Sequence, residues 1–558
     1  MQIHKVEKLI QIVGIVAIFI FGLFLYFYKL DKVPSGFYID EALPGYNAYS
    51  LLKTGKDEYG KYFPTALRFY GSYNPPLYTY LTIPSIYLFG LNVFAVRVPS
   101  VVFGLLSSLV IYILLKQSGM IKNKWVLLTG LFLFIICPWN ILYSRVGYEV
   151  SLGFLLLSIG VLTFWLGLKK GQWLIISFLM FSLSTYAAYA ERFLAPLLIL
   201  VTLIFFRKEF FGKNLNRYTL IGLLLAFITQ IPHLFLMTTP AFFPKSDESI
   251  VSLVTSSFQA NSIYLGKLVF ILNILREFFS HYIAYFSPRN LFFLPDPDLQ
   301  RSVPELPVFY FWMLIPYLAG IYWLFKNKEK MFVKYLTILF LLFPIPAALT
   351  KDPFSTHRAL PFLLPTFLLI VFGLDLLLKK LNTKVWFPIL TFLIVVSLIF
   401  LWRGYFVLLP KERAIYWGSG VDILAAEISK NHDTLFVIDQ ARTKPLYMQL
   451  AFFLKYPPDK FQELRPEILE KYYDNPEFDS HYIFANIETR NVNWEKDIYK
   501  EQILVGDELT FGDTQIKEHF LEKTFTIKSP TDEIIFVAYK TNPDKKCASK
   551  PNKSIYCK

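Results

Sequence analysis

The chain is poor in the residues that mark most soluble chemistry. Three of its 558 residues are cysteine, so a disulfide-rich scaffold is excluded. Cys137 lies inside an apolar run and reads as a packing residue. Cys547 and Cys557 close the tail and can pair if the tail lies outside; a metal site of two cysteines without a nearby histidine fits less well. Charged residues make up 18%, too few to cover a soluble core of this size. There is no Walker loop, no GxGxxG ahead of a helix, no HExxH and no GxSxG, which removes phosphate-cradling loops, zincin chemistry and a nucleophile elbow. Internal repeats and low-complexity tracts are absent too.

What is present is apolar. Hydrophobic residues make up 54% and are gathered into long runs. The first, LIQIVGIVAIFIFGLFLYFY from Leu9 to Tyr28, carries no charge and has the roughly 20 residues that a bilayer crossing needs. It lacks the small-residue exit of a cleaved signal peptide and reads as a signal anchor. Ten more stretches follow, near 97–116, 124–143, 149–168, 172–189, 193–206, 218–237, 307–325, 332–349, 357–378 and 385–408.

The net charge of +14 would suggest nucleic acid on a soluble protein. Here the excess sits between apolar runs, the positive-inside pattern, so no nucleic-acid partner is expected. The clusters are Lys5 and Lys8; Lys116, Lys122 and Lys124; Lys169 and Lys170; Arg207, Lys208, Lys213 and Arg217; Lys326, Lys328, Lys330 and Lys334; and Lys379, Lys380 and Lys384. They fall on one side only if 75–93 and 261–285 do not cross. The first opens on Pro75-Pro76 and suits an interfacial or re-entrant helix; the second is interrupted by Lys267, Arg276, Glu277 and His281. The expected fold is therefore an α-helical polytopic membrane protein of about eleven spans plus interfacial helices. Residues 1–408 form the transmembrane domain, with external loops at 29–96 and 238–306. Residues 409–558 form a small external α+β domain, with strands at 433–439, 481–487 and 533–540 and a helix at 447–456.

The residues with chemical potential gather on the external side. Asp40 and Glu41 follow the first span; adjacent carboxylates are costly there unless used, as a general base near the interface or as a helix cap. Arg145 and Glu149 sit in a short loop, SRVGYEVS, as an interfacial pair or as part of a site. Arg192 either snorkels or faces a ligand. His357 and Arg358 stand at the mouth of another span. The arginines Arg68, Arg145, Arg192 and Arg358 on one face suit an anion, because a guanidinium offers a fixed donor fork. Asp40 and Glu41 could also hold a divalent ion, without a complete ligand set in view. DPD at 296–298 lies in a Pro-rich loop and reads as a turn. Apart from Asp375 the spans are clean, which favours interfacial chemistry over conduction.

Several strings resemble one family. IDEALPGYNAYSLLKTGKDEYGKYFP, YNPPLYTYLTIPSIYLFGLNVFAVRVPSVVFG, CPWNILYSRVGYE, STYAAYAERFLAPLL and THRALPFLLPTFLLIVFGLDLLL are similar to bacterial GT-C glycosyltransferases related to protein O-mannosyltransferases and aminoarabinose transferases. The resemblance covers most of residues 30–380. It implies an inverting transfer from a polyprenyl-phosphate monosaccharide to a protein, lipid or cell-wall glycan acceptor, in the plasma membrane of a bacterium, with the site facing away from the cytoplasm. Asp40 matches the family's base, with Glu41 and Glu149 as supporting acids. The lipid phosphate would be met by Lys61, Arg68, Arg145, Arg192, His357 and Arg358. Many relatives carry a lysine just before Pro-Pro-Leu-Tyr; this chain has Asn74, which Lys61 or Arg68 could replace. Arg289 and Arg301 in the loop 238–306 would border an acceptor or lipid entrance. The alternatives are a non-catalytic lipid-linked glycan transporter or flippase, or a ligase- or polymerase-type glycan transferase.

Overall fold

An uncharged run of bilayer length has one way to satisfy its backbone in lipid, the α-helix, and the computed structural model places a helix at each of the eleven apolar stretches. It describes residues 2–210, 216–242, 249–258, 266–380, 382–442, 445–474, 481–549 and 555–557. Lys213 lies outside the described residues, as do the side chains of Lys5 and Lys8. Two compact units emerge. One comprises the chain up to Leu30, Asn74–Tyr78 and Arg97–Phe406; the other comprises Asp31–Tyr73, Thr79–Val96 and the chain from Val407.

The first unit is helical. Among the described residues seven helices are long and apolar enough to cross a membrane: Leu9–Phe27, Val93–Gln117, Val150–Gly167, Arg217–Leu236, Met331–Ala348, Leu360–Leu378 and Lys384–Glu412. An eighth is the pair Lys124–Ile135 and Pro138–Ser144, bent by 52°, where Pro138 supplies no N–H to the preceding turn. The helices Gln172–Ser184 and Phe311–Lys326 are apolar but shorter, and Tyr189–Phe205 opens on Glu191 and Arg192. Neither Leu77–Phe89, of 13 residues, nor Gly266–Ala284 is among the candidate spans. The protein is thus a multi-pass integral membrane protein.

Helices in lipid associate by close packing rather than by hydrophobic force, which places small residues at their contacts. Leu314–Lys326 and Leu363–Leu378 meet in this way. A Cβ on Gly373 would collide with the Pro316 carbonyl, and one on Gly320 with the Leu369 carbonyl.

The second unit joins the start of the chain to its end. Helix Ile39–Thr54 lies against Tyr447–Phe453. The Phe37 and Phe452 rings are 4.4 Å apart, and the Tyr46 hydroxyl donates to the Tyr456 carbonyl at 2.8 Å. Gly36 adopts φ +94°, open to glycine, and a Cβ there would stand 2.6 Å from the Trp417 carbonyl. A six-stranded mixed sheet completes the unit, in the order Tyr482–Phe484, Ile487–Thr489, Phe436–Ile438, Ile503–Gly506, Ile534–Lys540, Glu522–Lys528. The central strand Phe436–Ile438 is parallel to both neighbours and the outer pairs are antiparallel. Cys547 and Cys557 are disulfide-bonded and Cys137 is buried.

Gly373→Ala tests the helix contact. Overpacking a tight contact costs about 1–3 kcal/mol, so the variant is expected to melt below wild type in lipid nanodiscs; an unchanged melting temperature contradicts the close approach.

Candidate active site

In the second unit, helix Ile39–Thr54 carries Asp40 and Glu41 in its first turn, where the aligned N–H groups favour negative charge. Glu41 is fully buried and its carboxylate accepts the Tyr38 N–H at 3.4 Å. The helix-capping role thus falls to Glu41, and Asp40 is half-buried beside it. The Tyr70 hydroxyl is pushed up by burial and by two acidic neighbours, Glu58 and Asp40. Glu58 is buried too and exchanges two hydrogen bonds with Asn47, at 2.9 and 3.3 Å. The helix end and the KDEYGK turn therefore place carboxylates around one phenol.

The turn itself is built on Asp57. Its carboxylate accepts the N–H groups of Tyr59 and Lys61 at 3.0 and 2.8 Å and the Tyr472 hydroxyl at 2.5 Å. Burial pushes this carboxyl up to about 6, against the pull of those hydrogen bonds. Lys61 lies over the rings of Tyr472 and Tyr473 at 5.8 and 5.3 Å, and the buried Arg68 lies 5.7 Å over Tyr59. Both predicted cations are thus held by tyrosines, as expected for cations beside aromatic faces.

The helical unit holds the other predicted residues. Arg145 is fully buried. Its guanidinium donates to the carbonyls of Leu25, Tyr26 and Tyr28 at 2.6, 2.6 and 2.7 Å and lies over Phe406 at 4.9 Å. Arg97 donates to the Leu30 carbonyl at 3.0 Å. Together they satisfy carbonyls that the end of the first helix leaves over, where cations are favoured. Glu149 precedes helix Val150–Gly167, and the buried Glu191 is within its electrostatic reach.

His357 packs between Tyr143 and Tyr148, each 5.7 Å away. Arg358 pairs with Asp352 at 2.9 Å; the same carboxylate takes Arg301 at 3.2 Å, and Arg301 also reaches Asp298 at 2.9 Å. Asp296 accepts the N–H and hydroxyl of Thr356, each at 2.8 Å, so the DPD turn ties its loop to DPFSTHR. Arg192 donates to the Thr185 and Phe242 carbonyls. The structure therefore gathers Asp40 with Lys61 and Arg68 in one unit, and Glu149 with Arg145, Arg192, His357 and Arg358 in the other. Among the described residues no three His, Cys, Asp or Glu side chains group as a metal cage.

Residues 73–235 match the family model described as dolichyl-phosphate-mannose-protein mannosyltransferase. The fold is similar to the crystal structure of ArnT from Cupriavidus metallidurans bound to undecaprenyl phosphate. The TM-score is 0.56 at 14% identity, over 94% of this chain and 97% of that one. The chain shares the ArnT fold over nearly its whole length. ArnT in the apo state gives 0.55 at 13% identity, over 94% and 97%. The archaeal oligosaccharyltransferase AglB from Archaeoglobus fulgidus, in complex with an inhibitory peptide and a dolichol-phosphate, gives 0.50 at 12%, over 95% and 74%. Among curated protein sequences none matches significantly.

Within this ArnT-like fold Asp57 and Glu58 were not expected from the sequence, although the second acidic pair of the same loop was a visible signal. Nor were the use of Arg97 as a cap and the Asp352 bridge, which depend on loops more than fifty residues apart in the chain. Asp57 gives a testable pH dependence. The folded carboxyl holds its proton more tightly than an unfolded one at 3.8, so stability falls as pH rises from 3.8 through about 6, by on the order of 3 kcal/mol. Asp57→Asn should remove that slope from melting curves between pH 4.5 and 7.5; identical slopes in the two proteins contradict it.

Proposed function

We propose that the protein is an inverting transferase that moves a monosaccharide from a polyprenyl phosphate to an acceptor hydroxyl or amine-bearing group. The observation that carries this reading is the mannosyltransferase family match over 73–235 together with an ArnT-like fold over nearly the whole chain. Asp40 is the general base: it sits at a helix N-terminus, half-buried, among the carboxylates around Tyr70. Glu41 fixes that helix end, and Glu149 is the supporting acid in the helical unit. The groups for the departing phosphate, whose charge they would neutralise in the transition state, are Lys61 and Arg68 of the second unit or His357 and Arg358 of the helical one. Arg145 and Arg192 are largely committed to backbone carbonyls.

The second unit supports a reading of sidedness. Residues 31–73 and the chain from Val407 fold together, so they lie on one face of the membrane and the crossings between them are even in number. Six of the seven long helices lie in that interval. If the bent pair crosses as well, an odd number of the shorter helices must cross with it, and all three give the ten crossings expected from charge. With the lysine clusters inside, the joint unit faces out from the plasma membrane, and a disulfide in its tail suits an oxidising compartment. Against the transporter alternative, Asp375 is paired with Lys379 at 2.5 Å, one turn on at the helix end.

The test is sugar release from a panel of polyprenyl-phosphate monosaccharides by the purified protein in lipid. A positioned base contributes roughly 10²–10⁴-fold, so Asp40→Asn should lose turnover by that factor while retaining the wild-type melting temperature. Unchanged turnover removes Asp40 from the chemistry. No turnover with any donor by wild type, in protein that still binds lipid-linked glycan, favours transport.

A further inference from the structure

Buried polar atoms without a hydrogen bond are rare, and each asks for an occupant. Among the described residues, two such atoms in the helical unit belong to side chains with the same neighbours: Arg192 Nη2 and His233 Nε2. Arg192 donates from Nε to the Thr185 carbonyl at 3.3 Å and from Nη1 to the Phe242 carbonyl at 3.1 Å. His233, 4% exposed, has Nδ1 3.5 Å from the Thr185 hydroxyl and sets its ring edge-on to Phe242 at 6.1 Å.

The hydrogen bonds assign the ring's proton. Gln230 Nε2 lies 3.1 Å from the Ser182 carbonyl, which only accepts, so the amide nitrogen faces Ser182 and the amide oxygen faces the histidine. That oxygen, 2.8 Å from His233 Nδ1, also only accepts, so Nδ1 carries the proton. The neutral ring then presents Nε2 as a lone pair. Tyr186 stacks on the ring at 3.9 Å and 13°, with its own hydroxyl held on the Thr229 carbonyl at 2.6 Å. The imidazole is therefore locked in orientation, with an acceptor left over within the electrostatic reach of Arg192, whose Nη2 is a donor left over. A hydroxyl satisfies both at once, because it donates and accepts through one oxygen.

We propose that Arg192 and His233 form a hydroxyl-recognition subsite for the sugar carried on the polyprenyl phosphate. The sugar O–H donates to His233 Nε2, and the same oxygen accepts from Arg192 Nη2. The subsite rests on the transferase reading and adds to it a pair that reads the sugar rather than the phosphate. Nothing in the sequence pattern marks His233, which is one polar residue near the end of an apolar span.

The test uses full-length protein in nanodiscs and two kinds of probe: undecaprenyl phosphate, and undecaprenyl phosphate bearing mannose or glucose. Wild type should bind a sugar-loaded lipid more tightly than the bare one. His233→Phe keeps the ring stack on Tyr186 and removes Nε2. It should cost about tenfold in affinity for the preferred sugar-loaded lipid and leave the bare lipid unaffected. Equal losses for both lipids overturn the subsite; no loss for either also overturns it and leaves only a water between the two nitrogens. If wild type binds neither lipid, the transferase reading falls and the subsite with it. If the Phe variant alone binds neither, Arg192→Lys replaces it, keeping the charge and removing Nη2. Its sugar preference should again fall about tenfold, and an unchanged preference overturns the proposal.

Discussion

The packing of helix Ile39–Thr54 against Tyr447–Phe453 constrains everything else. These segments are separated in sequence by nearly all of the membrane helices, yet they share one core, with Phe37 tilted against Phe452 and Tyr46 tied to Tyr456. A lipid-crossing backbone satisfies its polar groups only as a closed helix, so a core of this kind forms only when both segments emerge on the same face. That requirement fixes the parity of the crossings between them. It also makes the loop that carries Asp40, Lys61 and Arg68 a structured element: Gln462 donates to the Asp57 carbonyl at 2.9 Å, Tyr472 holds the Asp57 carboxylate, and Tyr73 donates to the Tyr472 carbonyl at 2.7 Å.

Charged groups in this protein divide into those consumed by the fold and those with capacity left. Arg145 spends its guanidinium on three carbonyls, and removing it would leave several buried acceptors unpaired, each costing about 1–3 kcal/mol. Asp352 holds Arg301 and Arg358 together, and Glu41 holds its own helix end. Among the described residues Arg192 and His233 each retain a buried nitrogen without a hydrogen bond, as Arg145 and Arg301 do at Nε, but these two also share Thr185 and Phe242 as neighbours. A donor and an acceptor left over among the same neighbours, rather than a leftover atom by itself, is what marks the Arg192–His233 pair.

Much of the fold was legible because its strongest signals are long and periodic. The uncharged run at Leu9–Tyr28 and the apolar stretches after it marked the helices, and the family strings around Asp40 and the Pro-Pro-Leu-Tyr helix pointed to an ArnT-like fold. Strands at 436–438, 482–484 and 534–540 were visible as short apolar alternations. Ile503–Gly506 was missed because four residues carry too little pattern, and Glu522–Lys528 because most of its side chains are exposed at the sheet edge. The site was only partly legible. A predicted phosphate arginine such as Arg145 looks the same in sequence as a helix cap. What tells them apart is the carbonyls at Leu25, Tyr26 and Tyr28, 117 to 120 residues away.

The most direct measurement is one-sided thiol labelling of single cysteines. Native thiols give little background, because Cys137 is buried and Cys547 is bonded to Cys557. Tyr62→Cys in the first loop and Leu509→Cys in the tail place probes at exposed positions, and Lys170→Cys reports the lysine-rich side. A membrane-impermeant reagent added to intact cells should label positions 62 and 509 alike and reach 170 only after permeabilisation. Labelling of 62 and 509 from opposite faces would contradict the shared unit and the site built on it.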